Sequence, residues 1–273
     1  RGRQEGGDAY AKLKLTSSPT GGEEVGSFQF SSPIDLKGED MTKHIGIVAC
    51  SAEGAALCYR TICIEGASLM GGYAHPEVTM HTFPLSEYMR YIEAVNWEGI
   101  AGLMLSSAAK LAKVGADFAI CPDNTIHQAF DLVIRKSPIP WLHIAEEVAA
   151  EAKRKNYKCL GILGTRFLME GPVYSTKLTA IGIRHKIPEV KDRKRVNEII
   201  FDELVYGRFS TEARAYFNEV IGRLESQGCD AVVLGCTEIP LLVTQENSPL
   251  PTLDSTRILA RAALKRATST TSQ

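Results

Sequence analysis

Residues 230–238 read DAVVLGCTE, and residues 117–125 read DFAICPDNT. In both stretches an acidic residue precedes a short apolar run, and polar residues follow that run. A continuous apolar run of this kind predicts a buried strand of a parallel sheet, with a turn after it. The two stretches lie 113 positions apart (230 minus 117), so the chain carries the same strand-and-turn unit twice.

A second repeat lies closer to the N-terminus. Residues 45–50 read IGIVAC and residues 160–165 read LGILGT, at an offset of 115 positions (160 minus 45). The same offset places Tyr59 on Tyr174. Two blocks at nearly equal offsets indicate two duplicated α/β halves. The alternative, which the sequence leaves open, is that any two strand–helix units look alike.

Short apolar runs alternate with helical patterns from Lys43 onward, which is typical of a parallel sheet wrapped by helices. The predicted fold class is α/β, with two pseudo-symmetric, flavodoxin-like parallel-sheet halves and the active site in the cleft between them. The predicted organisation is a flexible N-terminal extension (1–40), a first half (41–140) completed by a C-terminal helix (252–267), a second half (141–251) and a polar tail (268–273).

Three shorter elements are also predicted from their patterns. Residues 125–136 are expected to form one helix directly after the DFAICPDNT stretch. Residues 167–180 are expected to form one helix after the LGILGT strand. Residues 141–143 are expected to add a short strand.

The charge balance excludes several classes of function. The chain has 273 residues, with 31 lysines and arginines against 32 aspartates and glutamates, and a formal net charge of -1. Such a chain offers no electrostatic footprint for nucleic acid or an anionic membrane, and no apolar run approaches the roughly 18–20 residues that cross a bilayer. We therefore expect a small-molecule substrate, and neither a nucleic-acid nor a membrane partner.

The seven cysteines form no CxxC pair and show no Cys/His spacing of a zinc site. An odd number of cysteines without a disulfide framework indicates free thiols in a reducing compartment. The sequence thus predicts no metal site and a cytoplasmic location. An organelle is the alternative because of the N-terminal extension.

Polar residues follow four of the predicted strands, namely Ser51 after Cys50, Asp123-Asn124-Thr125, Thr165, and Cys236-Thr237-Glu238. In parallel α/β sheets, ligands bind beyond the carboxyl ends of the strands. Two facing halves would place Asp123 and Cys236 on opposite sides of one cleft. Each is followed by a helix N-terminus, whose free N–H groups favour a carboxylate. The pattern predicts a site for an amino acid or similar carboxylate, with one proton-handling group on each face.

These residues carry a resemblance to the aspartate/glutamate racemase family, over most of residues 43–267. The resemblance rests on LGCTEIPLL (234–242), NTIH (124–127), GILGT (161–165) and the Asp254-Ser255 turn. The family normally has a cysteine directly before the Asn-Thr of its first motif, where this chain has Asp123. The resemblance implies an amino-acid racemase of the aspartate or glutamate class, a homodimer that uses neither pyridoxal phosphate nor another cofactor.

Racemisation without a cofactor needs a base on one face of Cα and an acid on the other. The resemblance assigns Cys236 to one face, and we expect Asp123 on the other, each accepting the Cα proton in one direction. A helix N-terminus is expected to lower the pKa of Cys236 from about 8.5, and burial to raise the pKa of Asp123 from about 3.9. The expected substrate-binding residues are Ser51, Asn124, Thr125, Thr165, Thr237 and Glu238.

The sequence leaves other interpretations open. Cys236 is alternatively a structural thiol, Asp123 an N-cap of the following helix, and His127 a residue that only holds the loop. Among enzymes, a decarboxylase or a cis-trans isomerase of a small dicarboxylic acid needs one cysteine only. The rival from a different class is a non-catalytic carboxylate-binding protein that kept the fold, and Asp123 in place of the usual cysteine favours it.

Overall fold

The computed structural model describes residues 42–269. The strands are β1 (Ile45–Ala49), β2 (Val78–Thr82), β3 (Phe118–Ile120), β4 (Cys159–Leu163), β5 (Arg184–Lys186), β6 (Ala231–Leu234) and β7 (Thr252–Asp254). The helices are α1 (Ala52–Met70), α2 (Leu85–Glu93), α3 (Trp97–Lys113), α4 (Phe130–Ile134), α5 (Ile144–Arg154), α6 (Arg166–Met169), α7 (Pro172–Ala180), α8 (Val190–Asp202), α9 (Thr211–Ser226), α10 (Ile239–Leu242) and α11 (Ser255–Thr268), with 3₁₀ turns at Thr125–Ala129 and Leu204–Tyr206. Between residues 42 and 269, no helix has the length and apolar character needed to cross a bilayer.

The strands form two parallel sheets that share one strand order. The first sheet runs β2-β1-β3 and the second runs β5-β4-β6-β7. Ile45 pairs with Phe118 in the first sheet, and Leu160 pairs with Ala231 in the second. These partners are related by the two sequence offsets, 115 (160 minus 45) and 113 (231 minus 118). The predicted fold of two pseudo-symmetric parallel-sheet α/β halves is confirmed.

The strands read as continuous apolar runs because helices cover both faces of each sheet. In the first half, Ile45 and Ile47 pack with α1 and α11 on one face, whereas Val48 and Ala119 pack with α2 and α3 on the other. Every residue of β1 and β4 is buried. The last helix therefore packs in the core of the first half, although it follows the second half in the chain.

The segment 252–267 that was assigned to the C-terminal helix is helical only from Ser255 onward. Residues 252–254 form β7, which pairs with β6 in the second sheet, and α11 begins at Ser255. The carboxylate of Asp254 accepts a hydrogen bond from the N–H of Arg257 over 3.0 Å, so Asp254 is the N-cap and the residues before it are extended. The helix ends at Thr268. The predicted extension 1–40 and residues 270–273 of the predicted tail lie outside the described residues.

Three shorter predictions also need revision. The helix predicted for 125–136 is a 3₁₀ turn followed by α4. The helix predicted for 167–180 is divided into α6 and α7, because Pro172 begins α7 and a proline is compatible only with the first turn of a helix. The strand predicted for 141–143 is reduced to one bridge between Trp141 and Ala119.

The helices α2, α5 and α10 and the strand β5 were not predicted from the sequence. Of these, α2 matters most for the site. Its apolar residues Leu85, Tyr88, Met89 and Ile92 follow the i, i+3, i+4, i+7 spacing of one helix face. Tyr88 and Ile92 are buried in the core of the first half, with Leu85 and Met89 partly buried beside them.

Candidate active site

One cavity lies where the carboxyl ends of β1, β3, β4 and β6 meet. All eight residues predicted for the site line this inner cavity: Ser51, Asp123, Asn124, Thr125, Thr165, Cys236, Thr237 and Glu238. The first half contributes the residues after β1 and β3, and the second half contributes those after β4 and β6. The eight predicted residues therefore come together in one cavity, as expected for the carboxyl ends of parallel strands, which meet at one edge of a sheet.

Asp123 both caps the following 3₁₀ turn and faces the cavity. Its Oδ1 accepts a hydrogen bond from the N–H of Ile126 over 3.1 Å, which leaves the second oxygen free of this capping role. Burial raises the pKa of the Asp123 carboxyl, and the negative charge of Glu238 adds to this. The Ile126 N–H and the Cys50 thiol oppose the rise by donating to the carboxylate. The direction predicted from sequence is confirmed.

Cys236 lies on the second half, with its thiol held by an acidic neighbour. Its Sγ donates to Oε2 of Glu238 over 3.0 Å, and the Thr237 hydroxyl donates to the same oxygen over 2.9 Å. Burial raises the pKa of the Cys236 thiol well above its usual range, and the charge and hydrogen bond of Glu238 raise it further. The prediction of a lowered pKa is wrong, because α10 begins only at Ile239 and is four residues long. Burial first, and the neighbouring carboxylates second, set the pKa of the thiol, and no helix dipole offsets them.

Two hydroxyl pairs bridge the two halves of the chain. The Ser51 and Thr237 hydroxyls lie 3.1 Å apart, and the Thr125 and Thr165 hydroxyls lie 2.9 Å apart. Each pair joins one residue of the first half to one of the second. Gly54 in the first turn of α1 permits this approach, since a Cβ there would lie 2.8 Å from Cβ of Thr237 and 2.8 Å from the carbonyl oxygen of Pro122.

The Asn124 side chain is committed to a buried network. Its Oδ1 accepts from the Tyr174 hydroxyl over 2.6 Å, and its Nδ2 donates to the Ser255 hydroxyl over 2.9 Å. Ser255 in turn donates to the carbonyl of Leu234 over 2.9 Å. Asn124 therefore has one side-chain N–H left for a ligand, and its main contribution is to tie the loop after β3 to the second half.

His127 holds the Asp123 loop from behind. Its Nδ1 donates to the carbonyl of Asp123 over 2.6 Å, and its Nε2 accepts from the N–H of Ile144 over 3.4 Å. Burial lowers the pKa of His127 well below its usual range, and the adjacent His143 adds to this effect. A neutral ring with the proton on Nδ1 satisfies both hydrogen bonds, which fits the interpretation of His127 as a residue that holds the loop.

The sequence analysis missed Cys50 and the apolar wall of the cavity. Cys50 is 3% exposed, and burial and the nearby Asp123 charge raise its pKa. Its position was available from the repeat, since the offset of 115 (165 minus 50) places it on Thr165. The missed apolar residues that line the cavity are Leu85, Met89 and Ile92 from α2, Ile200 and Phe201 from α8, and Phe167 and Val205.

A wider outer cavity adjoins the inner one at the N-terminus of α1. It has a volume of about 690 Å³ and shares Cys50, Ser51, Leu85, Val205 and Glu238 with the inner cavity. The shared residues form the boundary between the two. The two cavities are therefore direct neighbours.

The part of the chain that forms the two halves is similar to known proteins. The family model for Asp/Glu/hydantoin racemases matches residues 54–263. RacX of Bacillus subtilis (strain 168), a broad specificity amino-acid racemase, is 23% identical over 190 residues, which cover 70% of this chain and 81% of RacX. A Yersinia pestis crystal structure, provisionally assigned as an Asp/Glu racemase, is 32% identical with a TM-score of 0.77, covering 83% of this chain and 100% of its own. PH1733, an aspartate racemase homologue from Pyrococcus horikoshii OT3, is 28% identical with a TM-score of 0.71 and the same coverage, 83% and 100%.

Proposed function

The chain belongs to the Asp/Glu/hydantoin racemase family, and from this premise we propose that it racemises a free α-amino acid without pyridoxal phosphate. The observation that carries the proposal is that Asp123 and Cys236 line one cavity from opposite halves of the chain. A racemase must remove the Cα proton from one face and return a proton to the other. Two proton-handling groups on opposite walls are the arrangement that this reaction needs.

The protonation states of the two groups support one resting form. The raised pKa of Cys236 keeps its sulfur protonated near neutral pH, ready to donate. Asp123 starts from a much lower reference value and is raised by burial, which brings its pKa closer to neutral pH. In this form the Asp123 carboxylate is the base and the Cys236 thiol is the acid.

In the forward direction, the Asp123 carboxylate accepts the Cα proton and the electron pair of that bond moves into the substrate carboxylate as an enediolate. The Cys236 thiol then donates its proton to the opposite face of Cα. The products are the inverted amino acid, a protonated Asp123 and a Cys236 thiolate. This second form of the enzyme catalyses the reverse direction, with the roles of the two groups exchanged.

Several groups around the cavity are suited to hold the substrate. The paired hydroxyls of Ser51 with Thr237 and of Thr125 with Thr165 lie beside the reacting groups. The N-terminus of α1 contributes free backbone N–H groups, which favour a substrate carboxylate. Hydrogen bonds to the carboxylate strengthen as the enediolate forms, which lowers the barrier to proton removal.

The lining of the cavity supports the cofactor-independent form of the proposal. Pyridoxal phosphate chemistry requires a lysine for its Schiff base. Among the residues that the structure describes, no lysine lines the inner or the outer cavity. The cytoplasmic location and the homodimer expected from sequence remain predictions.

The direct test is incubation of the purified chain with L-amino acids in deuterated water, without added cofactor. We expect deuterium at Cα together with the D-enantiomer. Release of CO₂ from a substituted malonate without any Cα exchange of amino acids would replace the proposal with the one-cysteine decarboxylase. Binding of amino acids without exchange would replace it with the carboxylate-binding protein.

A further inference from the structure

The inner cavity has one polar end and one apolar wall. The polar end carries Asp123, Cys236 and the hydroxyl pairs, where Cα and its carboxylate must lie for the proposed reaction. The apolar wall is formed by Leu85, Met89 and Ile92 of the first half and by Phe167, Phe201 and Val205 of the second. We propose that the substrate is an amino acid with an uncharged, largely apolar side chain, and not aspartate or glutamate; this inference rests on the proposed function.

The charges around the cavity argue against a second substrate carboxylate. Asp123 and Glu238 are the acidic residues of the inner cavity, and Glu53 joins Glu238 at the outer one. Within residues 42–269, neither cavity is lined by a lysine or an arginine. A side-chain carboxylate would thus lose water and meet like charges without a cationic partner, which is a strongly unfavourable exchange.

An apolar substrate side chain would gain binding affinity from the same surroundings. Phe201 and Met89 are partly buried and present apolar atoms to the cavity. Each methylene that moves from water to such a wall raises affinity about fourfold. The preference therefore has two sources, attraction for apolar side chains and exclusion of negative ones.

Arg166 is a cationic residue near the cavity in sequence, since it directly follows Thr165. It is exposed, and its guanidinium lies 4.9 Å from the centre of the Phe167 ring. Arg166 is not among the described residues that line the inner cavity. We expect the Arg166→Gln substitution to leave the preference among substrates unchanged.

The test compares amino acids that differ in charge but hardly in size. Cα deuterium exchange is measured for L-asparagine against L-aspartate, and for L-glutamine against L-glutamate, with L-leucine and L-methionine as the apolar substrates. We expect kcat/KM for leucine and methionine to exceed that for the acidic amino acids at least about a hundredfold. We also expect kcat/KM for each amide to exceed that for the corresponding acid. An equal or higher value for aspartate or glutamate would overturn the inference while leaving the proposed racemase intact.

Failure of all exchange would instead contradict the proposed function, and calorimetric binding then tests the inference separately. Tighter binding of L-methionine than of L-glutamate supports it, and the opposite order overturns it.

A charge placed in the apolar wall provides a second test. Met89→Lys should raise the glutamate-to-glutamine ratio of kcat/KM about tenfold or more, since it introduces the missing cationic partner, whereas Met89→Gln should not. A Met89→Lys ratio equal to that of Met89→Gln would also overturn the inference.

Discussion

The thiol of Cys236 donates a hydrogen bond to the Glu238 carboxylate over 3.0 Å. Glu238 is 3% exposed, and the Thr237 hydroxyl donates to the same oxygen, Oε2. The carboxylate therefore fixes the direction of the thiol and keeps its proton in place. The substrate-binding role expected for Glu238 stays a prediction, and this geometry adds a direct contact with the Cys236 thiol.

Substitution of Glu238 by glutamine should make Cys236 more acidic. The change removes the negative charge that raises the thiol pKa, so the pKa of Cys236 should fall. The measurement is the rate of iodoacetamide alkylation at Cys236 between pH 7 and 9, resolved by peptide mass spectrometry. Glu53→Gln, at the exposed first turn of α1, is the matched control. An alkylation rate that is unchanged or slower in Glu238→Gln would contradict the assignment.

The Tyr174→Phe substitution should destabilise the protein by about 1–3 kcal/mol, because it leaves the buried Oδ1 of Asn124 without its donor. Urea denaturation measures the change in the free energy of unfolding. Tyr59→Phe is the control at the equivalent position of the repeat, where the tyrosine is 44% exposed. Equal stabilities of the two variants would show that the Asn124 network contributes nothing.

The hydroxyl bridge between Thr125 and Thr165 should appear as an energetic coupling. Each substitution by valine, Thr125→Val or Thr165→Val, removes one side of the 2.9 Å hydrogen bond and should cost about 1 kcal/mol. The double variant should cost less than the sum, because the second substitution has no bridge left to break. Strict additivity in a double-mutant cycle of unfolding free energies would mean that the two hydroxyls do not interact.

Stability should decrease in mild acid because two histidines are buried in neutral form. Burial, with help from the charge of Lys177, lowers the pKa of His143 to about 3, and His127 is lowered too. Below about pH 6.5 the unfolded chain binds these protons and the folded chain does not, so each histidine lowers the unfolding free energy by up to about 1.4 kcal/mol per pH unit. The loss continues until the pH falls through the folded-state pKa.

The His143→Asn substitution isolates one of these contributions. The imidazole caps α5 by accepting from the N–H of Ala145 over 3.1 Å, and asparagine is an equally good cap. The variant should show a shallower decrease in unfolding free energy between pH 7 and 5, measured by urea denaturation. His75→Asn provides the baseline for an exposed histidine. If the unfolding free energy of the variant depends on pH as steeply as that of the original chain, His143 is not buried in its neutral form.

The fold was predictable because its strands are buried on both sides. Continuous apolar runs mark β1, β3, β4 and β6, and the nearly equal offsets of the repeats reappear as equivalent strand pairings in the two sheets. The positions of Asp123 and Cys236 followed from the same pattern, since both come in the turn after a strand. Elements outside the repeats were missed because their patterns are short, as for α2 with nine residues.

The electrostatics of the site were not predictable from the sequence. The pKa of Cys236 depends on the direction taken by the Glu238 side chain, whose Oε2 lies 3.0 Å from the thiol sulfur. Spacing along the chain does not determine that choice. The same holds for Asn124, whose partners Tyr174 and Ser255 lie 50 and 131 positions away.

The central claim is that Asp123 and Cys236 act on opposite faces of Cα, and separate exchange measurements from each enantiomer test it most directly. The original chain should exchange and invert both enantiomers of its substrate in deuterated water. Asp123→Asn and Cys236→Ser should each abolish inversion, and any exchange that remains should come from one enantiomer in the first variant and from the other in the second. Inversion by Asp123→Asn at the original rate would contradict the account.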